Sequence, residues 1–164
     1  LSPELSADRM VKEYVTRLYV PAAEAERTIS SKSFTGAREL AAWKMRVRDA
    51  WPLVAVTHVE SGGVDTVPQV GDILNVRAHV QLDGLTPDDV AVEVVYGRAR
   101  EGDNLERTHH VALEPETATP GVAVQFVGSV PLTRAGSFGY NVRVTPRHPL
   151  LASAAELGLI AVAD

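Results

Sequence analysis

The chain has 164 residues, no cysteine and a formal net charge of −5 at pH 7. The lack of cysteine excludes disulfides and thiolate metal sites and suits a reducing cytoplasm, and an acidic chain without a Lys/Arg cluster disfavours nucleic acid and anionic membranes as partners. No apolar run reaches the ~18 residues of a membrane helix, and residues 1–4 lack the features of a signal peptide. We therefore expect a cytoplasmic protein and, since it begins without Met, a fragment of a longer chain.

Two helices are predicted at the start of the chain. Residues 6–19 carry apolar side chains at helical spacing, with Ser6 or Asp8 available as the N-cap. Pro21 stops this helix and can open a short second one, which the polar run at 30–33 ends.

The third predicted helix begins near Thr35 or Gly36 and ends at Pro52. It has one apolar stripe opposite a charged face. The stripe consists of Leu40, Trp43, Val47, Ala50 and Trp51. The two tryptophans are about two turns apart, so both lie on the face that should dock on a neighbouring surface. A core or interface role is favoured over a ligand site.

From Leu53 onward the apolar period changes from about 3.6 residues to 2, which indicates a passage from helices to sheet. Strands are predicted, in chain order, at 54–59, 74–82, 90–96, 107–113, 122–130, 138–144 and 159–162. Turn-forming Gly, Pro, Asp and Asn separate them. Six or seven short strands without intervening helices predict an immunoglobulin-like antiparallel β-sandwich preceded by two to three α-helices. The predicted domains are a helical segment at 1–52 and a β-sandwich accessory domain at 53–164.

None of the five histidines has the spacing of a helical metal-binding pair. His109 and His110 are neighbours, and in a strand their side chains would point to opposite faces, so one ion could not bind both without a bulge. We therefore predict no metal site.

The candidate nucleophiles and the paired carboxylates are also better interpreted as non-catalytic residues. Ser61 and Ser129 stand next to glycines without forming a GxSxG elbow, and no glycine-rich phosphate loop is present. Two carboxylate pairs occur in turn-like contexts and are predicted to be solvated loop charges. These pairs are Asp88 with Asp89 and Glu114 with Glu116. We predict no catalytic and no cofactor-binding residue in this chain.

Aromatic side chains leave one binding hypothesis open. Tyr96, Phe126 and Tyr140 could form a platform on which sugar rings stack. Their period-2 placement among valines favours the hydrophobic core instead.

Four passages of the sequence resemble those of a known protein family. They are RMVKEYVTRLYVPAAE at 9–24, GARELAAWKMRVRDAW at 36–51, DDVAVEVVYGRA at 88–99 and FGYNVRVTPRHPLLASAAELGLI at 138–160. Together they resemble the C-terminal region of bacterial α-glucan (glycogen or maltodextrin) phosphorylases, especially the long actinobacterial type.

The resemblance implies a parent enzyme that uses pyridoxal phosphate and inorganic phosphate to release glucose 1-phosphate from α-1,4-glucans. In that family the cofactor lysine lies in the catalytic body, and Lys12, Lys32 and Lys44 do not match its motif. The chain would then be a non-catalytic structural or assembly element, with its first and third helices packed on the catalytic body. The alternatives are a carbohydrate-binding module for α-glucan and an immunoglobulin-like interaction or homodimerisation domain.

Overall fold

The computed structural model describes most of the chain from residue 35 onward. The described ranges are 35–64, 69–99, 104–117, 123–133 and 136–163. They contain one α-helix, α1 (Thr35–Ala50), and seven β-strands. The two helices predicted at 6–19 and after Pro21 lie outside these ranges. Within them, no helix has the length and apolar character needed to cross a bilayer.

Helix α1 forms where the sequence predicts it. Leu40, Trp43 and Val47 are buried on one side, and the series continues through Ala50 at the last turn. The helix gives way to a short 3₁₀ turn that contains Pro52, which has no N–H to continue the α-helical bonding. The predicted apolar stripe is therefore confirmed.

Each predicted strand corresponds to an observed one. The strands are β1 (Ala55–Gly62), β2 (Ile73–Gln81), β3 (Val90–Ala99), β4 (Leu105–Thr117), β5 (Val124–Pro131), β6 (Phe138–Pro146) and β7 (Ala161–Val162). Strand β4 extends beyond the predicted 107–113 at both ends, and β7 is shorter than predicted. Short 3₁₀ helices occur at Trp51–Leu53, Pro87–Asp89 and Ala154–Leu157.

Strand β4 joins the two halves of the sheet. All pairings are antiparallel, in the order β1-β2-β5-β4-β3-β6-β7. The first part of β4 pairs with β3, for example Val111 opposite Val94, and its end pairs with β5, where Glu114 is opposite Val127. Strand β1 also comes close to β6 and β7, so the sheet curls towards a barrel. The predicted mainly antiparallel β fold with a leading helix is confirmed; a sandwich of two separate sheets is not.

One hydrophobic core lies inside the curled sheet and extends under α1. Alternate residues of five strands fill it, because successive strand side chains point to opposite faces. The strand residues are Leu74, Val76, Ala78, Val80, Val90, Val92, Val94, Leu113, Val124, Phe126, Val130, Val142 and Val144. Phe126 is thus a core residue, as its spacing predicts. Trp43 and Trp51 belong to the same buried cluster.

The tryptophan face of α1 therefore packs on the part of its own chain that contains strands β1–β7, which we call the β-domain. This corrects the expectation that Trp43 and Trp51 dock on a catalytic body outside the chain. An apolar helix face is stabilised by whatever surface covers it, and the β-domain supplies that surface here. The division of the chain after residue 52 stays a prediction.

Candidate functional site

Asp89 is a buried charged residue, with 8% of its surface exposed, at the point where α1 meets the β-domain. It ends the 3₁₀ turn that precedes β3. Thr86 is the N-cap of this turn and Asp89 its third residue, so the two form a reciprocal capping box. The backbone N–H and the hydroxyl of Thr86 each donate to Asp89 Oδ2 at 2.9 Å.

The other carboxylate oxygen of Asp89 accepts hydrogen bonds from two side chains of α1. Trp43 Nε1 donates to Asp89 Oδ1 at 2.7 Å, and Arg46 Nη2 donates to the same atom at 3.1 Å. Burial by itself raises the pKa of Asp89, but the hydrogen bonds from Thr86, Trp43 and Arg46 outweigh it and hold the pKa below its ordinary value. The carboxylate is thus ionised at neutral pH. It accepts four hydrogen bonds, and two of them come from α1.

The His148 ring packs against the Trp43 indole. The two ring centroids are 4.7 Å apart and the planes are tilted by 40°. The backbone N–H of Leu150 donates to His148 Nδ1 at 3.2 Å, which requires that nitrogen to be unprotonated. Burial lowers the pKa of His148, while the nearby Asp89 carboxylate opposes this effect. The imidazole therefore serves as a neutral packing partner of Trp43 at pH 7.

Lys44 forms a third link between α1 and the β-domain. Its ammonium group donates to Glu156 Oε1, and Glu156 Oε2 accepts from the backbone N–H of Ala152 at 3.2 Å. The hydrogen bond from Lys44 is the main cause of the lowered pKa of Glu156. The side chains of Lys44 and Glu156 are 25% and 36% exposed, so solvent screens this pair.

We expect Glu156→Gln to cost less than about 1 kcal/mol of unfolding free energy at low salt, and less still at 1 M salt. Urea unfolding at both salt concentrations measures the change. A loss of several kcal/mol that persists at high salt would contradict the assignment of this pair as a screened surface contact.

A concave site, the aromatic pocket, lies at the other end of β3. It has a volume of about 340 Å³ and is lined chiefly by Tyr96, Arg98, Glu106, Arg107, His109 and Phe138. Leu132 and Ser137, from the segment between β5 and β6, complete its wall. The core faces of three neighbouring strands change here from valine to aromatic and polar residues.

The strand register explains why these side chains meet. Val94 pairs with Val111 on one side and Val142 on the other, whereas Tyr96, two residues later, pairs with His109 and Tyr140. Residues two apart on a strand share a face, so the pocket continues the inner face of the sheet beyond its closed core.

A β-bulge in β4 shapes the pocket's charged rim. Between the pairs Tyr96–His109 and Arg98–Glu106, β3 advances two residues and β4 three. Arg107, in the bulge, has a φ of +49°, a left-handed conformation that is rare for a residue with a side chain. Gly97 lies opposite, and a Cβ there would stand 2.6 Å from the backbone oxygen of Glu106. Glycine at 97 thus permits the close approach of the bulge.

Comparison with known proteins identifies the family. A family model described as "Glycogen phosphorylase C-terminal domain" matches residues 51–164. The chain belongs to this family.

Curated members of the phosphorylases agree with the family match. The chain is 41% identical over 163 residues to glycogen phosphorylases of Mycobacterium bovis and Mycobacterium tuberculosis, covering 99% of this chain and 19% of each relative. It is 32% identical over 164 residues to maltodextrin phosphorylase of Thermococcus litoralis, covering 98% of this chain and 18% of that relative. The chain thus spans about a fifth of their length. No solved structure matches it. The resemblance stated from its sequence passages is confirmed.

For the carboxylate pair Asp88–Asp89, the prediction of solvated loop charge holds for only one of the two residues. The side chain of Asp88 is 98% exposed, as expected, but Asp89 is buried. The spacing of Thr86 and Asp89 is the signal that could have revealed the difference, since a Thr three residues before an acidic residue is a capping-box pattern. Glu114 and Glu116 are both exposed, as expected, but they lie within strand β4 and not in a loop.

The other predicted candidates are spread over the sheet. His109 and His110 are exposed and lie on opposite faces of β4, opposite Tyr96 and Val95 respectively. Ser61 lies in β1 and Ser129 in β5. Among the described residues, no three His, Asp or Glu side chains form a group that could hold a metal ion.

The three aromatic candidates do not form one platform. Phe126 is in the core, whereas Tyr96 and Tyr140 are half-buried and lie beside Phe138. Sequence reasoning missed Phe138, Arg98 and the bulge at Arg107 as parts of a pocket.

Proposed function

We propose that this chain is the non-catalytic C-terminal accessory region of an α-glucan phosphorylase, and that its parent enzyme phosphorolyses α-1,4-glucans to glucose 1-phosphate in the cytoplasm. The family match over residues 51–164 carries the proposal. The relatives' names, glycogen phosphorylase and maltodextrin phosphorylase, supply the substrate class.

The hydrogen bonds of the buried Asp89 carboxylate support a structural role for this region. Both oxygens of Asp89 accept hydrogen bonds from within the chain, so its carboxylate is occupied in fastening α1. A helix held in this way passes its orientation to the β-domain. The proposed function of α1 is to connect the residues before it rigidly to the β-domain, with residues 1–52 as the helical segment and the catalytic body of the parent as the partner.

The lysine of the described residues, Lys44, does not fit a pyridoxal phosphate site. The Lys44 ammonium group is paired with Glu156 on the surface, and Lys12 and Lys32 lie outside the described residues. A Schiff base forms from a neutral amine, whereas an ion pair with a carboxylate favours the charged ammonium form. In this proposal the parent's catalytic body holds the cofactor, and no step of the reaction uses residues of this chain.

We also infer that the β-domain has an immunoglobulin-type fold. In constant-type immunoglobulin domains the first, second, fifth and fourth strands form one sheet and the third, sixth and seventh form the other. The observed order β1-β2-β5-β4 followed by β3-β6-β7 supports this inference. Strand β4 differs by pairing with both halves.

The experiment has two parts. The 164-residue chain, supplied with pyridoxal phosphate, inorganic phosphate and maltoheptaose, should release no glucose 1-phosphate. In the full-length parent, Trp43→Ala should lower the thermal midpoint and leave kcat per folded enzyme unchanged, whereas Met45→Ala, on the exposed side of α1, should change neither. Product formed by the isolated chain, or a fall in kcat of the fully folded Trp43→Ala parent, would overturn the non-catalytic assignment.

A further inference from the structure

We propose that the aromatic pocket is a binding site for a short stretch of α-1,4-glucan. The inference rests on the proposed function for the ligand class and adds to it a site and the residues that bind. It concerns the end of the β-domain away from α1.

The rings of the pocket present apolar faces on which a sugar ring can pack. Tyr96 and Phe138 have centroids 5.9 Å apart, and Tyr96 and His109 5.7 Å apart, with tilts of 40° and 36°. The two aromatic rings are half-buried, so each is anchored in the core and still reaches the pocket. Glucose rings have C–H faces that pack on such rings, while their hydroxyl groups project from the edge.

The polar rim suits a neutral ligand rich in hydroxyl groups. Arg98 and Arg107 supply donors and Glu106 supplies an acceptor, all on exposed side chains around the same cavity. A site for a phosphate would present mainly positive charge. Here Glu106 offsets one of the two arginines, and this partial balance of charge beside aromatic rings favours a sugar, whose hydroxyl groups both donate and accept.

The size of the pocket limits the length of glucan that it encloses. Its volume of about 340 Å³ lies at the low end of the range for small-molecule sites, roughly 300–1,000 Å³. We therefore expect it to hold one or two glucose units at a time, with the remaining chain in solvent.

The position of the pocket leaves it clear of helix α1. Asp89 directly precedes β3, and Arg98 lies near the other end of this strand. At about 3.3 Å per residue, the two are roughly 30 Å apart. The helix contact and the glucan site thus occupy opposite ends of the β-domain, and α1 does not cover the pocket.

Calorimetric titration of the 164-residue chain with maltoheptaose, together with native gels that contain glycogen, tests the proposal. The unmodified chain should bind maltoheptaose and be retarded by glycogen. Tyr96→Ala should raise Kd about tenfold, and His109→Ala about three- to tenfold. His110→Ala is the matched control, since this neighbouring histidine is also exposed but lies on the opposite face of β4. Thermal melts verify that each variant is folded.

Three results would overturn the glucan site. They are no binding by the unmodified chain, an equal loss for His110→Ala and His109→Ala, and displacement of maltoheptaose by inorganic phosphate, which would make the pocket an anion site. None of these results affects the outcome of the stability and kcat measurements on the parent. The accessory role is therefore tested independently of the glucan site.

Discussion

Replacing Trp43 by alanine is expected to destabilise the chain by about 3–5 kcal/mol, the range for truncating a large buried aromatic side chain. Trp43 packs in the core cluster, stacks on His148 and donates its indole N–H to Asp89. The substitution removes all three contacts and leaves a cavity between α1 and the sheet. Urea unfolding followed by circular dichroism measures the loss.

Two further variants separate packing from hydrogen bonding at this position. Trp43→Phe keeps most of the ring but removes the donor to Asp89, so it should cost less than Trp43→Ala and still more than about 1 kcal/mol. Met45→Ala changes a side chain that is 68% exposed on the same helix and should have little effect. Equal stabilities of Trp43→Ala and Met45→Ala would show that α1 is not fastened to the β-domain as described.

Replacing Asp89 by alanine is expected to cost about 2–3 kcal/mol at pH 7, because it removes a capping box and leaves the buried indole N–H of Trp43 without its acceptor. Asp88→Ala is the matched control. Its side chain is 98% exposed, so it should change the unfolding free energy by no more than about 0.5 kcal/mol.

Asp89 also gives this stability a pH dependence of known sign. Its pKa in the folded chain lies below its ordinary value of 3.8, so the ionised form stabilises the fold above that pH. The stabilisation is lost as the pH falls below 3.8 and through the lower folded pKa. The difference in unfolding free energy between the unmodified chain and Asp89→Asn should be largest near neutral pH and shrink below pH 3.8. A difference that is constant from pH 7 to pH 3 would mean that the charge of Asp89 contributes nothing.

The elements of the fold follow from local sequence, and their prediction succeeded for that reason. Apolar residues at helical spacing and the stop at Pro52 place α1, and alternating valines place the strands. These patterns report only on neighbouring residues. They therefore gave β4 as a short strand, because its pairing first with β3 and then with β5 depends on residues far away along the chain.

By itself, the sequence determined the helix, the strands, the lack of thiol chemistry and, through its resemblance to phosphorylases, the family. Only the tertiary structure decided what covers the helix and where a ligand could bind. The bond from Trp43 to Asp89 joins residues 46 positions apart, and the aromatic pocket needs the register of three strands and a bulge at Arg107. Periodicity shows which side of an element is apolar. It carries no information about which distant element will contact that side. The two candidate sites of this protein both depend on such contacts between distant elements.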